Sequence, residues 1–235
     1  MRCLLILFFA LQSVLPITGE SLKYEIRYKL GIMNTRVASA TIKLDPDNWK
    51  GQPALYSEAS VQVAPVFRLF LSEKYYAYLY LSNDEKKPIY YYNLNKKGYT
   101  DCNYSPDIVH YERHIEENDV RIYDVPNDGL TMEIFSMLFF VRDVELSPGQ
   151  SMKMKTYLYG DFRNTNLKML GKDNTRFPGR TADAFVIEMP EKGLMENGSG
   201  NSVYIWRDSK GTRPVLGIEI PLNTGTMIAN LTDEL

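Results

Sequence analysis

Alternation of apolar and polar side chains at every second position is the feature that most constrains what this chain can fold into. Apolar or aromatic residues alternate with charged ones in the first such segment: Leu22, Tyr24, Ile26, Tyr28 and Leu30 against Lys23, Glu25, Arg27 and Lys29. A period of two is typical of a β-strand with one buried and one solvated face. Gly31 ends this segment, and the period resumes over residues 38–44 and 55–63. The chain is therefore predicted to be mainly β.

Further strand-like segments follow along most of the chain. They cover residues 75–81, 90–92, 108–115, 120–125, 151–160, 183–189, 202–207, 214–220 and 225–231. One segment departs from this pattern, because apolar residues over 130–144 recur at helical spacing. Asp128 is its predicted N-cap, and Pro148 and Gly149 follow its end. We expect a strongly curved antiparallel sheet or an open β-barrel with one α-helix packed on it.

The N-terminus has the pattern of a secretory signal peptide. Arg2 precedes an apolar run from Leu4 to Leu11, and polar residues and Pro16 follow that run. A helix that crosses a membrane needs about 20 apolar residues, so this run is too short to serve as a transmembrane anchor. Cleavage is predicted after Gly19, with Ser13 as the alternative site. The expected organisation is a signal peptide over 1–19 and a single β-rich domain over 20–235, released into the periplasm.

Charge and cysteine content exclude several classes of protein. The formal net charge of −2 lacks the basic excess that nucleic-acid binding requires, so no nucleic acid is expected as a partner. Cys3 would leave with the signal peptide, which leaves Cys102 without a partner for an internal disulfide. Cys102 lies beside Asp101, and a neighbouring acid does not activate a thiol. An intermolecular disulfide remains the alternative to an inert thiol.

Motifs of catalysis and of cofactor binding are missing from the sequence. There is no Gly-x-Ser-x-Gly elbow, no phosphate-binding glycine loop and no dinucleotide fingerprint. His110, Glu112 and His114 share one face of a predicted strand, and such side chains are able to ligate zinc. The alternation alone explains them as the polar face of an edge strand, and we favour that interpretation. No cofactor is predicted, and an enzyme is the less favoured class.

Tyrosine is unusually abundant, and ten of the 17 tyrosines lie between Tyr75 and Tyr111. Tyr76, Tyr78 and Tyr80 fall on one face of a strand whose other face is also apolar. Tyrosine packs well across neighbouring strands, and it also supplies amphipathic surface at binding sites. Both interpretations stay open: ordinary cross-strand packing, or a surface for a ligand or a partner.

Four segments, taken in order, carry a resemblance to a known family. They are Tyr24, Tyr28 and Gly31 with Ala38 and Ala40; Glu133, Ser136, Phe139 and Arg142; Trp206–Asp208 running to Arg213–Val215; and Gly225 leading to Leu231. With this order and spacing the chain resembles the exported bacterial proteins grouped as domain of unknown function 3108. In that family the helix segment usually has Asp where this chain has Glu133. The resemblance implies an exported, mostly antiparallel β protein of the bacterial envelope, and it implies no activity, cofactor or catalytic residue.

Three functional hypotheses follow from these patterns. The leading one is a non-catalytic envelope module that binds a lipid or another apolar or amphipathic ligand in a cavity. The residues expected to line that cavity are Tyr76, Tyr78, Tyr80, Phe135, Phe139 and Trp206. The second hypothesis is a structural or assembly partner that binds another envelope protein through its tyrosine-rich surface. The third is a hydrolase built on carboxylates or on His110 and His114.

Overall fold

The described residues form fifteen β-strands and one α-helix. The computed structural model describes residues 19–68, 74–84, 86–95, 98–115, 119–158, 161–189, 202–222 and 224–234. The first eight strands are β1 (Glu20–Leu30), β2 (Met33–Trp49), β3 (Gln52–Val63), β4 (Lys74–Ser82), β5 (Pro88–Asn95), β6 (Gly98–Tyr104), β7 (Ile108–Ile115) and β8 (Asp119–Pro126). They are followed by β9 (Thr131–Glu133), α1 (Ile134–Asp143), β10 (Ser151–Leu158), β11 (Asp161–Asp173), β12 (Ala182–Glu188), β13 (Ser202–Asp208), β14 (Val215–Leu222) and β15 (Gly225–Glu234). A short 3-10 helix, Pro65–Phe67, follows β3.

All of these strands belong to one sheet with a simple order. Strands β8 back to β1 lie side by side, and β15 back to β9 continue the sheet from β1. Every neighbouring pair is antiparallel except β9 and β10, which are parallel. The sheet curves until its two ends face each other: the Tyr111 hydroxyl on β7 lies 3.0 Å from the Tyr157 hydroxyl on β10. The predicted mainly β fold, a strongly curved sheet or open barrel with one helix, is confirmed.

The alternation of apolar and polar residues along β1 corresponds to the inner and outer faces of the curved sheet. On β1, Leu22 and Tyr24 are each 4% exposed, whereas Lys23 between them points to solvent. Directly opposed residues on neighbouring strands share a face. The pairing therefore places a row of apolar side chains on the inner face: Ile205, Ile218, Ala229, Ile26, Ala38 and Val63. The apolar core lies inside the curve of the sheet.

Strands β6 and β11 were not expected from the sequence. Each has a polar threonine at an inner position, Thr100 on β6 and Thr165 on β11, and both are buried. An inner threonine interrupts the apolar alternation that marks a strand in the sequence. The cost of burying Thr165 is offset by a hydrogen bond between its hydroxyl and that of Thr156, at 2.8 Å.

The helix begins later than the sequence indicated. Residues 131–133 pair with Lys155–Tyr157 as strand β9, so the helix starts at Ile134 rather than near Leu130. Asp128 is therefore not the N-cap; its carboxylate accepts from the Thr131 hydroxyl at 3.1 Å. Glu133 has the capping role, because its side chain accepts a hydrogen bond from the backbone N–H of Ser136 at 2.8 Å.

One prediction concerns a segment that the described residues reach only at its last position. The predicted signal segment lies outside them, apart from Gly19. Within the described part of the chain, no helix has both the length and the apolar character needed to cross a membrane.

Candidate functional site

The helix α1 lies inside the curved sheet and fills part of it. Met137, Phe139 and Val141 are at most 2% exposed and belong to the main core. Phe135, one turn earlier, is only partly buried, and its ring lies 6.4 Å from that of Tyr91 on β5. The two phenylalanines predicted as cavity residues therefore both face the interior, but Phe139 is enclosed and Phe135 is not.

A buried carboxylate holds the N-terminus of the helix. Glu133 is fully buried and accepts hydrogen bonds from both the backbone and the hydroxyl of Ser136. Burial raises the pKa of Glu133 to about 8, because the charged form loses its hydration there. The backbone N–H groups of Phe135 and Ser136 favour the ionised form, but they offset the burial only in part. The Glu-x-x-Ser motif therefore forms the N-cap of the helix, with Glu133 as the capping residue.

Two buried arginines hold the other end of the helix. Arg142 forms a bidentate pair with Glu20 on β1, at 2.6 and 3.1 Å. Arg207 on β13 donates to the carbonyl oxygens of Val141 and Val144, and it pairs with Asp183 at 2.7 Å. The Arg207 donors satisfy carbonyl groups that the helix C-terminus leaves without internal partners, whereas Arg142 ties the last turn of the helix to β1.

The sequence patterns did not predict a role for Arg207, Glu20 or Asp183. A signal for Arg207 was present: it occupies an inner position between Ile205 and the start of the hairpin, where alternation calls for an apolar residue. A charged residue at such a position needs a buried partner. The sequence offers no means of identifying Asp183, because strand pairing brings the two together.

The interior is closed near the helix and more accessible further along the strands. Leu22 and Tyr24 lie near the Glu20–Arg142 pair and are nearly inaccessible, whereas Ile26 on the same face of β1 is partly accessible. Ile218 and Ala229, its neighbours in the inner row, are also only partly buried. The inner face away from the helix is therefore apolar without being fully packed.

Methionine is concentrated on this inner side. Five methionines are buried in the main core: Met132, Met137, Met154, Met169 and Met189. Methionine side chains are unbranched and flexible, so they adapt to irregular or variable contacts. The wall around the helix is consequently more deformable than one of branched aliphatic residues.

Tyr76, Tyr78 and Tyr80 lie on the outer face of β4. Between them Ala77 and Leu79 point into the core and are at most 3% exposed. The expectation of one cavity lined by these tyrosines together with Phe135 and Phe139 is therefore wrong, because the sheet separates the two groups. The role of the tyrosines in binding a ligand stays a prediction.

On the outer face, aromatic rings form a continuous stripe across five strands. The aromatic stripe consists of Tyr56 on β3, Tyr78 on β4, Tyr92 on β5, Tyr99 on β6 and His114 on β7. Successive ring centroids are 6.3, 6.3, 5.8 and 4.7 Å apart, and the ring planes differ by 17° to 28°. Beside it lie Trp49, Tyr80 and Tyr90, with Trp49 within 5.0 Å of both neighbouring rings.

Trp206 lies on the outer face of the other half of the sheet. It packs in a small second cluster with Ala184 and Leu216, apart from the main core. The guanidinium of Arg176 is 3.7 Å from its ring centroid, and its indole N–H donates to Asp173 at 3.2 Å. A groove of about 480 Å³ opens beside this cluster, lined by Phe177, Pro178, Arg180, Leu216, Leu231 and residues 232–234. Trp206 therefore does not line the interior, contrary to the expectation from the sequence.

The candidate metal ligands His110, Glu112 and His114 lie on the outer face of β7. His114 pairs with Glu112 at 2.5 Å, whereas His110 pairs with Asp124 on β8 at 2.8 Å. Glu112 also accepts from the Tyr99 hydroxyl at 3.0 Å, and these hydrogen bonds lower its pKa. Among the described residues, no three His, Cys, Asp or Glu side chains converge as metal ligands.

Cys102 points inward from β6 and is fully buried. Burial and the nearby carboxylates of Glu133 and Asp101 raise the pKa of its thiol well above the ordinary value. A thiol in this environment is a weak nucleophile.

Comparisons with known proteins agree with the fold. A sequence model of the family described as "Protein of unknown function (DUF3108)" matches residues 23–232. No curated protein matches the chain. A β-barrel-like protein of the domain of unknown function DUF1849 from Brucella abortus has a similar structure, with a TM-score of 0.58 and 9% identity over 93% of this chain and 98% of that one. The lipoprotein LppX of Mycobacterium tuberculosis matches with a TM-score of 0.29 and 12% identity over 90% and 84% of the two chains, which is too low to bear on the fold.

Proposed function

The chain belongs to the DUF3108 family of proteins of unknown function, and we propose that it is a non-catalytic module that holds an apolar or amphipathic ligand inside its curved sheet. The observation that carries this proposal is that Ile26, Ala229 and Ile218 of the inner row are apolar and only partly buried, whereas Leu22 and Tyr24 nearer the helix are enclosed. An apolar surface that its own chain does not cover gains free energy when a ligand covers it, at about 25 cal/mol per Å².

The composition of the interior supports the same proposal. Its buried methionines are able to repack around an alkyl chain. The helix closes one end of the interior, and the pairs Arg142–Glu20 and Arg207–Asp183 hold it there. An apolar chain would therefore enter away from the helix, and a polar head group would stay at that open end.

We also infer that the protein is exported and that cleavage after Gly19 releases it into the periplasm. The first strand begins at Glu20, and the carboxylate of that residue pairs with Arg142. The residue that follows the proposed cleavage site is therefore already part of the sheet and holds the helix. N-terminal sequencing of exported protein tests this: a chain that begins at Glu20 supports it, and an intact Met1 contradicts it.

Native mass spectrometry of protein purified from its own cells tests the binding proposal. A co-purifying mass of lipid size supports it. A stoichiometric protein partner would favour the assembly hypothesis instead, and a stoichiometric metal would favour the hydrolase.

A pair of neighbouring substitutions then locates the ligand. Ala229→Phe adds a large ring to the inner row, whereas Ile228→Phe changes the next residue, whose register partner Arg27 lies on the outer face. Binding of a fluorescent fatty acid is expected to weaken about tenfold in Ala229→Phe and to stay unchanged in Ile228→Phe. Equal affinity in both variants would exclude the interior as the binding site.

A further inference from the structure

The aromatic stripe on the outer face is separate from the interior, and its chemistry points to a different kind of ligand. Its rings lie on strands β3–β7, whose inner face belongs to the main core. The sheet thus already has its apolar core on the other side, and the stripe is not needed to cover it. An outer face with so many rings is unusual, since single exposed aromatic residues are the ordinary case.

The hydroxyl groups of several rings around the stripe are held by carboxylates. The Tyr90 hydroxyl donates to Asp101 at 2.7 Å, and the Tyr99 hydroxyl donates to Glu112 at 3.0 Å. Tyr80 donates to Asp47 at 3.2 Å. These bonds fix the orientation of the rings before any ligand arrives, and such preorganisation lowers the entropic cost of binding.

The charged side chains on the outer face around the stripe limit which ligands can bind there. From Tyr76 to Pro126, outward positions on the described parts of β4–β8 carry three carboxylates, Asp101, Glu112 and Asp124, and neither lysine nor arginine. Nucleic acids and anionic lipid surfaces are recognised through basic side chains and would be repelled here. A carboxylate oxygen has lone pairs for more than one donor, so Asp101 and Glu112 still have acceptor sites for hydroxyl groups of a ligand.

We propose that the aromatic stripe binds an uncharged polysaccharide that lies across strands β3–β7. Sugar rings present flat C–H faces that pack on aromatic rings, and their hydroxyl groups donate to carboxylates. The rings of the stripe are nearly parallel and follow one another at 4.7 to 6.3 Å, so they form one continuous aromatic surface across five strands. Leu94 beside the stripe is 42% exposed, and Ile122 on the adjacent strand β8 is 57% exposed, so the apolar surface continues past the rings.

Affinity electrophoresis in native gels tests the proposal with the full mature chain. The probes are three uncharged polysaccharides, hydroxyethylcellulose, a mannan and a dextran, and each gel is run at low and at high salt. At least one probe is expected to retard the protein at both salt concentrations, because the interaction includes no ion pair. Retardation by none of the three would overturn the proposal.

Variants assign the binding to the stripe. Tyr92→Ala and Tyr78→Ala each remove one ring and are expected to weaken the retardation about tenfold. Tyr92→Phe retains the ring and should bind like the unchanged protein. Tyr204→Ala is the matched control, because Tyr204 lies on the outer face of β13 and stacks on Trp206 outside the stripe. Thermal unfolding shows whether each variant is folded. If either Tyr92→Ala or Tyr78→Ala is unfolded, the comparison with Tyr204→Ala uses the other one.

Two outcomes would overturn the assignment. Equal retardation of Tyr92→Ala, Tyr78→Ala and Tyr204→Ala would place the polysaccharide elsewhere on the molecule. Binding to polylysine that high salt abolishes, without binding to any uncharged polysaccharide, would show that the stripe recognises a cationic protein segment instead. Neither result affects the fatty-acid experiment, because that ligand is proposed to lie on the other side of the sheet.

Discussion

Replacing Glu133 by glutamine is expected to make the protein more stable at pH 8, although it changes the residue that caps the helix. The carboxyl group is fully buried, and its pKa is raised from the ordinary value of 4.5 to about 8. Burial disfavours the charged form more strongly than the helix N–H groups favour it. Glutamine retains an oxygen that accepts from the Ser136 N–H, but it has no proton to lose in this range.

The direction of the pH dependence follows from proton binding. Between pH 4.5 and 8 the unfolded chain has lost the Glu133 proton while the folded protein still holds it. Stability contributed by this group is therefore present below pH 4.5, falls as the pH rises and is fully lost above pH 8. A shift from 4.5 to about 8 corresponds to about 5 kcal/mol. Loss of a helix cap costs about 0.5–2 kcal/mol, so the electrostatic gain outweighs an imperfect cap at pH 8.

Urea unfolding of both proteins from pH 4.5 to pH 8.5 measures this effect. The stability of Glu133→Gln relative to the unchanged protein should rise by about 5 kcal/mol across the range and level off near pH 8. Glu58→Gln removes a carboxylate from the outer face of β3 and controls for the loss of one charge. Parallel pH profiles for Glu133→Gln and the unchanged protein would refute the reasoning.

Four further predictions concern the core, the helix anchor, the outer histidine and the thiol. Phe139→Ala should lower the free energy of unfolding by about 3–5 kcal/mol, because the ring is 2% exposed; a loss below 1 kcal/mol in urea unfolding would contradict its packing. Arg142→Ala should cost a similar 3–5 kcal/mol, since it leaves the Glu20 carboxylate unpaired, and an unchanged melting temperature would count against the anchor. His114→Ala should cost less than about 1 kcal/mol, and a chelator should not change the melting temperature of the unchanged protein; a large loss in both experiments would restore the metal hypothesis. Cys102 should react with iodoacetamide only after unfolding, and labelling of the native protein, read by mass spectrometry, would disprove its burial.

Local patterns were sufficient to predict the class of fold. Period two on β1 and helical spacing around Met137 reflect contacts that repeat within one element, so they are visible in the sequence. The helix start was predicted too early, because residues 131–133 are used by a parallel pairing with β10 that no local pattern reveals. The inner threonine of β11 had the opposite effect and concealed a strand whose polar group finds a partner only in the folded sheet.

For a strand that is apolar on both faces, the inward face was decided by the tertiary structure alone. On β4 both faces are apolar or aromatic, so alternation separates Tyr78 from Leu79 but does not say which one is buried. The answer depends on the direction in which the whole sheet curves, and that direction follows from strands far apart in the chain. Strand β1 pairs with β15 across about 200 residues, and Arg207 on β13 reaches the end of the helix only because of that curvature. The sequence by itself determined the class of fold and most of its strands, because their contacts repeat locally, whereas closure of the sheet determined β9, the partners of buried polar groups and, where both faces are apolar, which face became core.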